Sequence, residues 1–254
     1  MRLMSSYVLC IFEGVRTEQN ITNSLTKYFI KDTEKAVLKA SFGFNIYQLF
    51  QKIKEDEFFE VYEIIVEEIK KRGRISSDDQ AVLDIQDFNE ISDIYLFFDY
   101  DCHCSNADDN KLKEMLEIFD NSQERGKLCI SYPMVESIRH IKKREFHELT
   151  HPITDLRNYK SIVNNDLDID RKYFNWGDYD AQIWKDIIIV NLARGFYLTN
   201  DEMVFPQEQI EQINIFEKQI LKHIPNSMIC VLSSFPFMLH DFYGVGLNKI
   251  LEDI

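Results

Sequence analysis

Three acidic side chains stand where chemistry is easiest to place: Glu13, Asp99 and Asp101. Glu13 follows the apolar run 7–12, and Asp99 follows the apolar run 94–98. In parallel α/β sheets, ligands bind beyond the carboxyl ends of the strands. If the two runs are neighbouring strands, the three carboxylates converge although Glu13 and Asp99 lie far apart in the chain. Asp99 and Asp101 are two positions apart in an extended segment, so both can face one ion as the chain turns. Carboxylates gathered without a basic partner are costly unless a cation sits among them. Mg²⁺ or Mn²⁺ is the natural occupant of such an oxygen-rich set, with waters completing an octahedron. Each residue also has a plainer role open to it: Glu13 as a solvated strand end, the aspartates as turn or capping residues.

Positioning these residues requires a sheet, and the chain reads as one. Apolar, β-branched and aromatic runs predict strands at 7–12, 36–40, 93–98 and 127–132. Unbroken apolar runs fit parallel strands covered on both faces. Between them, Thr17 is placed to cap a helix through Ile21, Leu25 and Phe29. Apolar residues at three- and four-residue steps predict one or two helices within 45–72 and another at 111–119. Pro133 is well placed to open a helix that carries Glu136 and continues past Arg139 and His140. The alternation describes an α/β core over residues 1–140, a mostly parallel sheet flanked by helices. After it the pattern changes. Residues 145–178 are polar and aperiodic, a long loop or a small insertion. Two long helices at 180–197 and 208–223, a late strand near 228–233, and a turn at Gly244-Val245-Gly246 before a last helix make residues 141–254 a helical C-terminal extension.

The segment Cys10-Ile11-Phe12-Glu13-Gly14-Val15-Arg16-Thr17-Glu18, followed by Leu96-Phe97-Phe98-Asp99-Tyr100-Asp101, resembles the Toprim domain. It is most similar to the small Toprim proteins of bacterial phage-defence and abortive-infection systems: the RloB-like group, the OLD-family nucleases and the effector of PARIS-type systems. The match covers roughly residues 6–140, and the stretch 131–136 looks like its third element. The resemblance implies a Toprim-like fold and a Mg²⁺- or Mn²⁺-dependent nuclease of DNA or RNA, possibly tRNA, acting as an antiviral effector. It implies Glu13 as general acid or base at a phosphodiester, Asp99 and Asp101 as metal ligands, and Glu136 as a further acid of that metal site. It also implies an ABC- or SMC-like ATPase partner; this sequence carries no Gly-rich phosphate-binding loop of its own, so the ATPase would be another subunit. Tyr100 between the aspartates, where many Toprim nucleases have a small residue, departs from the pattern, as does Cys102-His103-Cys104 after them.

The totals bound these readings. In 254 residues with 45% hydrophobic content, 8 Gly and 5 Pro, the chain has enough apolar material for an ordered core and few flexible linkers. The formal net charge of −14 counts against a protein that coats nucleic acid through its overall field. Nucleic-acid contact would need metal, a partner or a local basic strip. Arg139, Lys142, Lys143 and Arg144 form the preferred strip, and Lys70, Lys71, Arg72 and Arg74 form a second; both also fit cations at helix C-termini. Arg16 fits either an ion pair with Glu18 or a phosphate contact. The Cys102-His103-Cys104 spacing is poor for structural zinc. Five cysteines, an odd number, with no visible signal peptide or apolar span, predict reduced thiols in a cytoplasmic protein without a membrane segment. A homo-oligomer remains open. Two other functions share the acidic pattern: a HAD-like phosphatase, whose Asp-x-Asp ordinarily comes early in the chain, and a non-catalytic regulatory subunit of a defence complex.

Overall fold

Residues 8–12 are all fully buried, and this explains their uninterrupted apolar character. They belong to β1 (Ser6–Phe12), which is hydrogen-bonded in parallel on both sides and covered on both faces. Burying each such side chain contributes about 1.5–3 kcal/mol, so Leu9→Ala in this strand would cost roughly 2–5 kcal/mol. The structure, a computed structural model, describes residues 6–14, 16–30, 35–55, 58–142 and 149–254. The chain divides into two compact units, residues 1–128 and 129–254.

In the first unit, β1 leads into α1 (Thr17–Leu25), whose Ile21 and Leu25 are buried. Thr17 does not cap this helix: Arg16 holds the cap position without a side-chain bond, and Thr17 is the first helical residue. The four-residue spacing from Leu25 to Phe29 survives in a π-helical turn, Thr26–Ile30, which buries Phe29 and Ile30. β2 (Lys35–Ser41) follows, then α2 (Ile46–Glu55) and α3 (Val61–Lys71), so the periodic stretch 45–72 holds two helices. α4 (Ser77–Leu83) starts at a capping box in which Ser76 and Asp79 satisfy each other's backbone N–H groups. The chain continues through β3 (Ile91–Asp99), α5 (Asp109–Ile118), the short β4 (Asp120–Asn121) and β5 (Gly126–Ser131), which carries it into the second unit.

The sheet order is β2-β1-β3-β5-β4. β1 runs parallel to both neighbours, with Phe12 beside Ser41 on one side and Phe97 on the other. The class is α/β with a mostly parallel sheet flanked by helices, as the alternating pattern predicts. β4 and β5 pair antiparallel, and the turn into β5 depends on Gly126. Its φ of +113° is one that side chains resist, and a Cβ there would lie 2.7 Å from Leu96 Cδ1.

The second unit begins differently from the sequence expectation. After Pro133 the chain makes only a short 3-10 segment, Val135–Arg139, ending at His140. Residues 149–178 are not one loop but β6 (Thr150–Pro152), α6 (Tyr159–Asn165) and several 3-10 turns. α7 (Ala181–Asn200) is capped by Asp180 and buried on most sides, with Trp184, Ile187, Ile188, Leu192 and Arg194 inaccessible. An all-round apolar helix of this kind belongs in a core. α8 (Gln212–Lys218) continues into a π turn, Gln219–His223. The Gln219 amide then both donates to and accepts from the Cys230 backbone, acting as a partner for β7 (Met228–Cys230), which pairs antiparallel with β6. α9 (Ser234–Tyr243) and α10 (Gly246–Glu252) close the chain on either side of the expected glycine turn, with Phe235 and Phe237 in the core. All five cysteines are free. Among the described residues no helix is long and apolar enough to cross a membrane.

Candidate active site at the strand ends

Because Phe12 and Phe97 stand side by side, the next residues of β1 and β3 emerge together at the carboxyl end of the sheet. The Glu13 N–H donates to the Phe97 carbonyl at 3.1 Å, and the Glu13 carbonyl accepts from the Gly43 N–H at 3.1 Å. Glu13 is thus pinned by its backbone between the ends of β2 and β3. Its side-chain Oε2 reaches across to accept from the Asp99 N–H at 3.3 Å. The Asp101 N–H donates to the Asp99 carbonyl at 2.9 Å, a tight turn that folds the chain back after the strand. Tyr100 lies between the aspartates and is buried, its hydroxyl donating to Asp109 at 3.0 Å. The bulky residue at this position is therefore an anchor for the turn, and the two aspartates on either side of it are half-buried.

The electrostatics are those of crowded, partly desolvated acids. Burial pushes the Glu13 carboxyl up to about 7; the Asp99 N–H opposes the shift, and the charges of Asp101 and Glu18 add to it. Glu18 is the member that sequence reasoning missed. It lies in the first turn of α1, is buried, and packs its carboxylate against Gly14. A Cβ at position 14 would sit 2.8 Å from Glu18 Oε2, so glycine there makes room for the acid. The four-residue spacing of Gly14 and Glu18 does not by itself display this clearance.

Carboxylate oxygens are hard donors, and Glu13, Asp99 and Asp101 fit a hard divalent cation by type. They do not yet form a closed shell: among the described residues no three acidic, histidine or cysteine side chains are gathered as a metal-holding group. The Glu13 Oε2 is held by the Asp99 N–H. Burial, followed by the charge of Asp101, pushes the Cys102 thiol up to about 11 and raises Cys104, which donates to the Asp101 carbonyl at 3.2 Å. Among the described residues these thiols are not part of a metal-holding group.

The remaining predicted residues among those described each have partners of their own. Glu136 is in the second unit, buried, with its carboxylate 3.1 Å from Lys160 Nζ. Its charge is answered by a lysine there. Arg139 is 6% exposed, with its guanidinium stacked over Trp176 at 4.9 Å and Phe174 at 5.6 Å, so it is a core cation rather than part of a surface strip. Lys142 approaches Asp166 at 3.7 Å, and Lys143 and Arg144 lie outside the described residues. In the other basic run, Lys71 pairs with Glu67 and Glu68. Arg72 reaches back to the carbonyls of Ser41 and Phe42 and pairs with Asp79, fixing the end of β2 beside Glu13. Compared with protein-family models, curated proteins and solved structures, the chain matches none of them.

Proposed function

We propose that the chain is a Mg²⁺- or Mn²⁺-dependent phosphodiesterase that cuts nucleic acid, with Glu13, Asp99 and Asp101 as its site. The observation that carries this reading is the hydrogen bond between Glu13 and Asp99 at the carboxyl ends of adjacent parallel strands. It joins the two halves of the motif that resembles Toprim nucleases, Glu13-Gly14 and Asp99-Tyr100-Asp101. Asp99 and Asp101 would hold the cation. When bound, the cation supplies charge stabilisation at a phosphoryl oxygen. Glu13, held at the strand end and half-shielded from water, is suited to take or give the proton of a phosphodiester displacement near neutral pH. The same resemblance supports a role as effector in antiviral defence with a separate ATPase partner, which an acidic chain of net charge −14 would use to approach nucleic acid.

The test is incubation of the protein with plasmid, single-stranded DNA and total tRNA, alone and with a candidate partner. Mg²⁺, Mn²⁺ and EDTA are compared, as are the native chain and Asp99→Asn. Metal-dependent cleavage that Asp99→Asn abolishes supports the reading. Cleavage of no substrate under any of these conditions overturns it.

A further inference from the structure

Phe44 stands on the rim of the same site. Single exposed apolar residues are ordinary on protein surfaces, but this one is held in place. Gly43, with a φ of +78°, turns the chain off the end of β2, and its N–H donates to the Glu13 carbonyl. The next residue, Asn45, caps α2: its side chain accepts from the Gln48 N–H at 3.2 Å, and its own N–H donates to the Gln48 side chain at 3.1 Å. Phe44, the residue just before this cap, is 41% exposed.

The backing of that ring is aromatic and rigid. Phe42 meets Phe44 edge-on at 5.5 Å and Phe98 at 6.3 Å, so an aromatic series runs from the last apolar residue of β3, next to Asp99, to the surface. Asn45 also donates to Asn106 at 3.3 Å, tying the rim to the loop that follows Asp101. Arg72 braces this turn: it pairs with Asp79, bonds to the Phe42 carbonyl at 3.1 Å, and its Nη2 lies 3.9 Å from where a Cβ on Gly43 would be. A backed aromatic face beside an acidic strand-end site is what an unpaired base and its phosphate would meet in turn.

Resting on the phosphodiesterase reading above, we infer that Phe44 is a stacking platform that seats an unpaired nucleobase, so that the substrate is single-stranded or locally unpaired nucleic acid. A base within a duplex has both faces covered and cannot use the platform.

The test separates stacking from cutting. Binding of a fluorescent single-stranded oligonucleotide is measured by anisotropy in Ca²⁺, beside an abasic oligonucleotide of equal length and charge. Cleavage of the base-bearing strand in Mg²⁺ is scored separately. Phe44→Ala should weaken binding of the base-bearing strand by roughly tenfold or more while leaving the abasic strand unchanged, since one base–aromatic stack is worth about 1–3 kcal/mol. Phe44→Trp should restore binding. Equal effects on both strands, no effect on either, or no binding of the base-bearing strand by the native protein would each overturn the inference. Cleavage that ignores Phe44 would overturn the platform and leave the phosphodiesterase reading standing. Phe44-dependent binding without any cleavage would do the reverse.

Discussion

The Glu13 carboxylate accepts a hydrogen bond from the backbone N–H of Asp99, 86 positions away, because each residue directly follows or ends one of two adjacent parallel strands. That bond stabilises the ionised form of an acid that its surroundings otherwise keep protonated. The first prediction concerns the cost of this arrangement. The Glu13 carboxyl lies at about 7 in the folded protein against an ordinary 4.5, so the folded state holds the proton more tightly than the unfolded chain. Its stabilising contribution is complete below pH 4.5 and is lost as the pH rises through about 7. Glu13→Gln should therefore raise stability at pH 8 by up to about 3 kcal/mol and change it little at pH 4.5. Urea unfolding of both proteins at the two pH values measures this. Equal stability at pH 8 would contradict the assigned burial.

Glu18 should tune Glu13 through Gly14. The methyl group introduced by Gly14→Ala would meet the flexible end of Glu18 at 2.8 Å and push that carboxylate away. Since the Glu18 charge raises the Glu13 carboxyl, Gly14→Ala should lower it. A carboxyl-detected NMR titration reads the shift directly; an upward shift would mean that Glu18 moves toward Glu13 instead.

His140 gives the second unit an acid-sensitive point. Burial, then the charges of Arg194 and Lys142, holds its imidazole down at about 3. Its Nδ1 is 2.8 Å from the Tyr159 hydroxyl, while its Nε2 has no hydrogen-bond partner among the described residues. The unfolded chain takes up a proton near the ordinary value of 6.5, so the stability of the neutral form is present above that pH and is lost as the pH falls toward 3. This one group should contribute a slope of about 1.4 kcal/mol per pH unit in that window. His140→Gln should flatten the dependence between about pH 6 and 4, read from unfolding midpoints across the range.

Packing between α7 and α9 leaves no room at Gly195. A Cβ there would lie 2.6 Å from Phe237 Cζ. Gly195→Ala should destabilise by about 1–3 kcal/mol despite its better helix propensity. Combining it with Phe237→Leu should recover part of the loss in a denaturant melt.

The parts legible in the sequence are those where local pattern and tertiary demand agree. β1 and β3 are central strands, and their apolar runs at 8–12 and 94–98 announce it. Their acidic ends then follow from strand-end logic. Glu18 is less legible as a site member because its position depends on clearance over Gly14, which spacing alone does not display. Arg139 is misplaced by sequence for a related reason: its partners Trp176 and Phe174 lie in a stretch with no periodicity, so the charge reads as a surface feature. α4 has a local signal in Ser76 and Asp79 that a closer reading for capping boxes would have used. The helix expected after Pro133 is limited to a 3-10 segment, Val135–Arg139, all of whose residues are buried.

The central claim, that Asp99 and Asp101 hold one divalent cation beside Glu13, is tested most directly by titrating the protein with Mn²⁺ and counting bound ions by electron paramagnetic resonance. The native protein should take up Mn²⁺ at one site that Mg²⁺ displaces, and Asp99→Asn should weaken it by at least about tenfold, the loss expected when a carboxylate ligand is removed. Native-like Mn²⁺ affinity in Asp99→Asn, with the fold intact, would contradict the account.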